Sequence, residues 1–225
     1  MLEIVKTTDG SNTIYNTEVG ENYHSKHGAL QESRHVFVNS GLRYFLAEQA
    51  GANAPVSILE VGFGTGLNFL LSADLCTEKG IALDYTGIEA YPLSLALISQ
   101  TGYDHYVSEE LWREFISNYE GLRLSAVQLN PYSKLQIANC KLLDFQSERQ
   151  YDIIYFDAFA SSRQPEMWDA DAISHTLQFL KPGGVFVTYA ITGNLKRALK
   201  ALGCKVEKAP GAPGKREMLR AVKLV

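Results

Sequence analysis

The sequence predicts an α/β protein with a mostly parallel sheet, an antiparallel C-terminal hairpin and a small N-terminal extension. Three observations predict this fold. Strand-like apolar runs alternate with helix-forming segments along most of the chain. The run at 57–61 passes through a glycine-rich turn into a predicted helix. Two further strand-like runs flank the Pro- and Gly-rich residues 210–214, which is typical of a hairpin.

The N-terminal part is predicted to form a hairpin and a helix ahead of the sheet. Strand-like residues 2–5 and 13–15 flank a turn signal at 9–12. Apolar periodicity then predicts a helix from Ala29 to about Gly51, with a break in two at 39–41. We therefore expect a single domain, with residues 1–50 as an extension and residues 51–225 as the core.

The core is predicted to contain five buried strands and four helical regions. The strands lie at 57–61, 83–88, 134–138, 151–157 and 185–189, and a weaker strand-like run covers 121–130. The helices lie at 67–79, 92–120, 169–179 and 193–202, with turns at 130–133 and 181–184. Strands at 204–208 and 217–225 form the terminal hairpin.

Composition excludes several classes of protein. The chain has 225 residues, of which 46% are hydrophobic and 20% charged, as in ordinary globular proteins. No apolar run approaches the ~20 residues that cross a membrane, and the first residues lack the apolar segment of a signal peptide. Three widely spaced cysteines argue against a disulfide framework or a zinc site. We expect a cytoplasmic protein that binds neither membrane nor metal.

The charge is unevenly distributed. The net charge is −4, but residues 190–225 carry nine Lys or Arg against two acids. A basic segment of this kind suits contact with nucleic acid, whereas charge alone favours a solvated basic face. The candidate phosphate contacts are Lys196, Arg197, Lys200, Lys215 and Arg216.

The residues 60–68 form the most informative motif. Glycines at 62, 64 and 66 allow the backbone to approach a ligand closely, and the N–H groups beyond them favour a polar or anionic partner. A dinucleotide-binding turn requires G-x-G-x-x-G, and Leu67 stands where its last glycine belongs. The E-x-G-x-G-x-G form resembles the first motif of class I, Rossmann-like S-adenosylmethionine-dependent methyltransferases. The expected donor-binding residues here are Glu60, Gly62, Phe63, Gly64, Thr65, Gly66 and Asn68.

Acidic and amide side chains follow the other predicted strands. Glu89 ends the second core strand, where a carboxylate suits the ribose hydroxyls. Asn139 follows the next strand and offers a donor and an acceptor to the adenine edge, although Asp144 is a rival for that position. Asp157 ends the following strand at the edge of the sheet where ligand crevices form, so it is also expected beside the donor.

Several stretches together resemble the methyltransferase domain of the MnmC family of tRNA-modifying enzymes. The matching pieces are Asp9-Gly10-Ser11, the region 23–37, Glu60 to Phe69, Phe156-Asp157-Ala158-Phe159-Ala160 with Pro165-Glu166-Met167-Trp168, Pro182-Gly183-Gly184, and Gly214-Lys215-Arg216-Glu217-Met218-Leu219. The resemblance covers nearly the whole chain. The pieces around Asp157 and Lys215 are far more specific than the glycine motif. Asn139 is a departure, since related domains often have Asp there, and it leaves the adenine assignment open.

The resemblance implies an activity. It implies methylation, by S-adenosyl-L-methionine, of the 5-aminomethyl group of (2-thio)uridine at the wobble position of tRNA. In many bacteria the domain is fused to an FAD-dependent oxidoreductase that exposes this amine, and the chain is too short to carry it. We therefore expect a separate enzyme to supply the aminomethyl uridine and the tRNA to bind through its anticodon region.

Methyl transfer to an amine requires alignment and an unprotonated nucleophile. Asp157 is the expected catalytic carboxylate, which holds the ammonium and accepts its proton or orients its lone pair, although a structural acid that caps the following loop is the alternative. Candidates for stacking on a splayed-out base are Tyr23, His24, Phe159 and Trp168, each of which also suits packing. Other hypotheses are a methyltransferase of small-molecule or protein amines, an aminopropyl-transferring enzyme, an NAD-dependent oxidoreductase and a non-enzymatic partner subunit.

Overall fold

A computed structural model describes residues 1–48 and 54–224. Its strands fall into a small N-terminal sheet and a large central sheet. The N-terminal strands are β1 (Leu2–Lys6), β2 (Asn12–Asn16) and β3 (Glu21–Asn22). The central strands are β4 (Val56–Val61), β5 (Leu83–Ile88), β6 (Val127–Gln128), β7 (Ser133–Ala138), β8 (Tyr151–Phe156), β9 (Leu180–Thr188), β10 (Cys204–Pro210) and β11 (Glu217–Lys223).

The helices of the described residues pack against this central sheet and against one another. They are α1 (Ala29–Glu32), α2 (Tyr44–Glu48), α3 (Leu67–Lys79), α4 (Leu95–Ile98), α5 (Glu109–Leu122), α6 (Ala170–Leu177) and α7 (Gly193–Ala201). The π-helical segment Ser33–Arg43 joins α1 to α2, and 3₁₀ turns cover Tyr103–Tyr106, Leu142–Asp144 and Pro165–Trp168. None of the helices in this part of the chain is long and apolar enough to cross a bilayer.

The central sheet places a crevice between β4 and β8. The strand order is β10-β11-β9-β8-β4-β5-β7-β6, and the five strands from β9 to β7 are parallel. Chain connections leave β4 in one direction towards β5 and return to β8 on its other side, which creates a topological switch point. Val61 pairs with Phe156, so the residues that follow them, Gly62 and Asp157, meet at the carboxyl edge.

The residues 9–11 have a structural role in capping the first helix. Ser11 Oγ accepts hydrogen bonds from the N–H groups of Ala29 and Leu30 at 3.0 and 3.1 Å. Asp9 Oδ2 accepts from the N–H of Gln31 at 3.0 Å. These acceptors satisfy N–H groups that have no partner within the helix, and they fix the N-terminal sheet to α1.

The predicted helix break at 39–41 is wrong, since the π-helical segment runs through it. Gly41 instead permits close packing on the sheet, because a Cβ there would lie 2.8 Å from the Tyr155 ring and 3.0 Å from Val187. The predicted helix end near Gly51 and the boundary between extension and core lie outside the described residues.

Three other predictions need correction. The helix predicted at 92–120 is divided into α4, a 3₁₀ turn and α5, because Gly102 adopts a φ of +73° between them. The strand-like run at 121–130 forms only the two-residue β6. The turn predicted at 181–184 belongs to β9, where a register shift against β8 accommodates the additional residues. The antiparallel hairpin of β10 and β11 confirms the predicted end of the sheet, although Val225 lies outside the described residues.

Candidate active site

A cavity of about 990 Å³ opens at the carboxyl edge of the parallel strands. The turn after β4 and the acids that follow β5 and β8 line one part of it. The N-terminal sheet and the loop after β8 line another part, so the cavity reaches from the glycines to half-buried aromatic side chains. Gly62, Phe63, Gly64, Thr65, Asn68, Glu89 and Asp157 are all among its lining residues.

The three glycines of the turn adopt conformations that other residues rarely reach. Their φ angles are +83° at Gly62, +53° at Gly64 and +79° at Gly66. A Cβ on Gly62 would lie 2.5 Å from the backbone oxygen of Asp157, and one on Gly64 would lie 3.0 Å from the Tyr23 ring. The turn therefore follows the loop after β8 closely, and Gly66 is the N-cap residue of α3.

Asn68 joins two carboxylates at the base of the cavity. Its Nδ2 donates to Glu60 Oε1 at 2.7 Å and to Asp157 Oδ2 at 2.8 Å. The other oxygen of Glu60 accepts from the Tyr85 hydroxyl at 2.8 Å. Glu60 is fully buried, whereas Asp157 is partly exposed to the cavity. The buried Oδ1 atom of Asn68 has no hydrogen-bond partner in the part of the chain that the structure describes.

The acids of this cluster have raised pKa values. Burial raises the pKa of Glu60 well above its usual range, and the charge of Asp157 adds to this shift. Burial and the charge of Glu32 raise the pKa of Asp157 to about 8, although the Asn68 hydrogen bond and the Lys215 charge act in the opposite direction. A cation in the cavity would relieve both shifts. These carboxylates therefore fit S-adenosyl-L-methionine, which carries a sulfonium and an ammonium.

Glu89 holds the glycine turn. Its Oε2 accepts from the N–H of Gly64 at 2.9 Å and its Oε1 from the N–H of Tyr91 at 3.0 Å. Burial raises its pKa, while these N–H bonds lower it. Both oxygens retain a lone pair for a ligand, so contact with ribose hydroxyls stays a prediction for this residue.

The structure separates the two candidates for the adenine position. Asn139 is outside the cavity lining: its Nδ2 donates to the backbone oxygens of Glu89 and Ala90 at 3.2 and 3.3 Å. Asp144 lines the cavity at the end of the 3₁₀ turn Leu142–Asp144. Asp144 is thus better placed than Asn139 for contact with adenine, which stays a prediction, and Asn139 positions the loop that carries Glu89.

The four predicted stacking residues have different surroundings. Tyr23 and Phe159 both line the cavity and contact each other edge to face, with ring centroids 5.1 Å apart. His24 also lines it, but Thr13 Oγ1 and Thr65 Oγ1 occupy its two nitrogens at 2.9 and 3.3 Å. Burial lowers the His24 pKa to about 4, so the ring is neutral.

Trp168 and His24 are better explained as structural residues than as stacking platforms. Trp168 is outside the cavity lining, and its Nε1 donates to the backbone oxygen of Phe159 at 2.7 Å. Its ring packs edge to face on Phe156, 5.0 Å between centroids. Direct stacking on a base stays a prediction for all four residues, and the cavity lining favours Tyr23 and Phe159 over Trp168.

The predicted basic contacts are not equivalent. Lys196, Arg197 and Lys200 lie on α7, away from the cavity lining. Lys215 Nζ pairs with Glu32 Oε1 at 3.1 Å and lies 3.7 Å from the centroid of the Tyr189 ring. Arg216 is exposed and forms no ion pair within residues 1–48 and 54–224. Lys215 thus already pairs with an internal carboxylate, and phosphate contact stays a prediction for all five basic residues.

Sequence reasoning missed Tyr85, Glu32 and Tyr189. Glu60 pairs with Gly87 on the neighbouring strand, and Tyr85 lies two residues before Gly87 on the same face of the sheet. Knowledge of this register would have indicated the hydrogen bond from the Tyr85 hydroxyl to Glu60. Glu32 is buried in α1, and no local pattern distinguishes it from a solvated helical acid. For the residues that the structure describes, no group of three or more His, Cys, Asp or Glu is arranged to hold a metal.

Comparisons with known proteins agree with this geometry. A model of a family described as S-adenosyl-L-methionine-dependent methyltransferase matches residues 104–224. The chain is 31% identical over 205 residues to the tRNA 5-methylaminomethyl-2-thiouridine biosynthesis bifunctional protein MnmC of Leptospira borgpetersenii, covering 88% of this chain and 31% of that protein. It is 33% identical over 212 residues to the protein of the same name from Marinobacter nauticus, covering 89% and 33%. The chain thus spans about a third of the length of these relatives.

Solved structures show the same fold. The crystal structure of MNMC2 from Aquifex aeolicus has a TM-score of 0.79 and 24% sequence identity, covering all of this chain and 70% of that one. Magnesium protoporphyrin IX methyltransferase (ChlM) from Synechocystis PCC 6803, solved with bound SAM, has a TM-score of 0.51 and 13% identity, covering 83% of this chain and 77% of that one. These likenesses show a Rossmann-like methyltransferase fold.

Proposed function

Since the chain belongs to the S-adenosyl-L-methionine-dependent methyltransferase family, we propose that it methylates the 5-aminomethyl group of (2-thio)uridine at the tRNA wobble position. The observation that carries this proposal is the placement of Asp157. Asn68 donates to the Asp157 carboxylate and to Glu60, which ends β4 just before the glycine turn. Asp157 lines the same cavity as Tyr23 and Phe159. The names of the MnmC relatives refer to the biosynthesis of 5-methylaminomethyl-2-thiouridine in tRNA, and we take the substrate class, an amine on tRNA, from them.

The glycine turn and the acids around it would hold the donor. S-adenosyl-L-methionine supplies an electrophilic methyl group when it is bound. The backbone of Gly62 and Gly64 would allow close approach, and Glu89 and Asp144 would provide acceptors for its polar groups. Glu60 fixes Asn68, so the Asn68 amide holds Asp157 Oδ2 at a defined position beside the turn.

Asp157 prepares the nucleophile. An aminomethyl group is mostly ammonium near neutral pH, and a carboxylate whose pKa is raised by burial is a stronger base, once charged, than an exposed one. The carboxylate form of Asp157 would be stabilised by cations in the cavity, because opposite charges lower a carboxyl pKa. The proton moves from the substrate nitrogen to a carboxylate oxygen, directly or through water, which frees the lone pair for in-line attack.

The tRNA would approach through its anticodon region. Tyr23 and Phe159 are the aromatic side chains at the cavity that suit a splayed-out base. Arg216, Lys196 and Arg197 are available for phosphate contacts on the basic C-terminal segment. We place this reaction in the cytoplasm, after a separate enzyme has produced the free aminomethyl uridine.

The proposal is tested with Asp157→Asn, which keeps the shape of the side chain and removes its charge. We expect kcat/KM for aminomethyl-containing tRNA to fall by about 10²–10⁴-fold, the range for loss of a general base. Circular dichroism and the Kd for S-adenosyl-L-methionine serve as controls for folding and donor binding. Unchanged kcat/KM in a folded variant would contradict the role of Asp157.

Phosphate contact is tested separately with Arg216→Ala. We expect weaker tRNA binding and a shallower dependence of log Kd on log salt, by about one phosphate contact. The matched control is Lys205→Ala, which removes an exposed charge that pairs with Glu207 on β10. An unchanged slope for Arg216→Ala would remove this residue from the tRNA surface.

A further inference from the structure

The N-terminal sheet contacts the loop that follows Asp157. Glu21 lies in β3, and its Oε2 accepts a hydrogen bond from the N–H of Ala160 at 3.1 Å. A Cβ on the preceding residue, Gly20, would lie 3.5 Å from Arg163 Nη1, so the turn before β3 packs on the same loop. Two segments that are 139 positions apart in the chain are therefore joined by a carboxylate and a close packing contact.

Side chains from three elements hold the backbone around Phe159. The Tyr189 hydroxyl donates to the backbone oxygen of Ala158 at 2.9 Å, and Trp168 Nε1 donates to the backbone oxygen of Phe159 itself at 2.7 Å. The Glu21 carboxylate holds the N–H of the residue after Phe159. Because three successive residues each have a side-chain partner, the position of the Phe159 ring is defined by contacts outside the cavity.

The N-terminal sheet also supplies the aromatic partner of this ring. Tyr23 directly follows β3, and its ring meets the Phe159 ring edge to face with the centroids 5.1 Å apart. Both rings line the cavity, whereas Glu21 is outside the cavity lining. A Cβ on Gly64 would lie 3.0 Å from the Tyr23 ring, so this ring lies against the glycine turn. The same short segment therefore provides one ring of the pair and holds the backbone of the other.

We propose that Glu21 is a positioning residue for the substrate base, which acts through Phe159 by holding its backbone so that the ring stays against Tyr23. This role rests on the proposed function, in which a splayed-out base stacks on the two rings. Asp157 is held separately, by the Asn68 amide at 2.8 Å. Loss of the Glu21 contact should therefore displace the base and leave the carboxylate in place.

The test is steady-state kinetics of Glu21→Ala with aminomethyl-containing tRNA. We expect KM for tRNA to rise about tenfold, the scale of one lost hydrogen bond to a charged group, with kcat within about twofold of wild type. The Kd for S-adenosyl-L-methionine should not change. A variant that merely destabilised the N-terminal sheet would lose active protein, which lowers kcat and leaves KM as it was.

Two further variants separate the hydrogen bond from the charge. Glu21→Gln keeps an oxygen that can accept from the Ala160 N–H, so its KM for tRNA should lie within about threefold of wild type. Glu21→Asp keeps the charge on a shorter side chain and should raise KM as Glu21→Ala does. It also replaces Glu21→Ala if that variant does not fold, as judged by circular dichroism.

Glu3→Ala is the matched control, because Glu3 is an exposed acid on β1 of the same sheet and lies outside the cavity lining. Its kinetics should match wild type. In a Phe159→Ala background, Glu21→Ala should raise KM by less than about twofold, since residues that act through one another are not additive. An unchanged KM in Glu21→Ala, an equal rise in Glu3→Ala, or a full further rise in the Phe159→Ala background overturns the proposal.

Hydrogen exchange of the Ala160 amide provides a readout that does not depend on the reaction. In ¹⁵N-labelled full-length protein, this amide should exchange faster by about tenfold or more in Glu21→Ala than in wild type or Glu3→Ala. Unchanged exchange would show that Glu21 does not hold the loop and overturns the proposal. If wild type fails to methylate tRNA while the exchange of Ala160 responds as expected, the proposed function fails and the hold of Glu21 on the loop stands.

Discussion

Replacement of Gly62 by alanine tests the geometry on which the site depends. Gly62 has a φ of +83°, and an added Cβ would lie 2.5 Å from the backbone oxygen of Asp157 and 3.0 Å from its carbonyl carbon. The contacting atoms are backbone, so a rotamer change cannot relieve them. Either the turn or the loop after β8 must move, and Asp157 moves with the loop.

Gly203→Ala is the matched control. Gly203 has a φ of +80°, but nothing lies within 4 Å of an added Cβ. Both variants carry the cost of a left-handed residue, about 1–2 kcal/mol, and only Gly62→Ala carries the overpacking cost of a further 1–3 kcal/mol. We expect losses in the free energy of unfolding of about 1–2 kcal/mol for Gly203→Ala and about 2–5 kcal/mol for Gly62→Ala.

Two assays separate stability from binding. Urea unfolding measures the free energy difference, and calorimetry measures the Kd for S-adenosyl-L-methionine. The displaced turn should weaken donor binding by at least tenfold in Gly62→Ala, whereas Gly203→Ala should bind as wild type does. Equal destabilisation of the two variants, together with an unchanged Kd, would refute the close approach of turn and loop as the basis of the donor site.

Three further predictions follow from the site. Because the Asp157 pKa is raised from 3.8 to about 8, the folded state binds its proton more tightly than the unfolded state, so stability falls as pH rises through this range. After allowance for partial exposure, Asp157→Asn should remove about 1–2 kcal/mol of this fall between pH 5 and pH 8, measured by urea unfolding; an unchanged slope would contradict the raised pKa. Asp144→Ala should weaken donor binding about tenfold by calorimetry, the loss of one charged hydrogen bond, and a larger effect for Asn139→Ala would restore the rival assignment. Trp168→Phe removes the N–H that donates to the Phe159 oxygen, so it should raise KM for tRNA several-fold and leave the Kd for S-adenosyl-L-methionine unchanged. A higher Kd for S-adenosyl-L-methionine with an unchanged KM for tRNA would place Trp168 at the methyl-donor site instead.

The glycine turn and its place at the sheet edge were predictable from sequence because their signals are local. A buried strand, alternating glycines and a following helix lie within 57–79, and the fold brings them together without long-range contacts. The place of Asp157 was predictable as well, since parallel strands end at a common edge of the sheet. The pairing of Val61 with Phe156 then places Asp157 beside the turn.

The remaining assignments needed three-dimensional contacts. Lys215 has the sequence context of an exposed basic turn, and only the fold reveals Glu32, which lies 183 positions away along the chain. Trp168 is an aromatic residue in a loop, and its bond to Phe159 distinguishes packing from stacking. Asn139 and Asp144 differ by five positions, and the direction of the loop after β7 decides which of them lines the cavity.

Gly41 shows why a local signal can be misread. Glycine beside asparagine and serine predicts a helix break when propensity alone is considered. Here the missing Cβ allows the helical segment to pack on Tyr155 and Val187, a contact that helix propensity does not reflect. Gly41 is visible in the sequence, but the contact that requires a glycine there is with β8 and β9, which follow much later in the chain.

The central claim is most directly tested by methyl transfer into tRNA from cells that lack this enzyme. Purified protein and labelled S-adenosyl-L-methionine are incubated with this tRNA, and nucleosides are analysed by mass spectrometry. We predict conversion of 5-aminomethyl (2-thio)uridine to its N-methylated form at the wobble position, at a rate that Asp157→Asn lowers by about 10²–10⁴-fold. Absence of label from tRNA, with label in a small-molecule or protein amine of the same cell extract, would contradict the account.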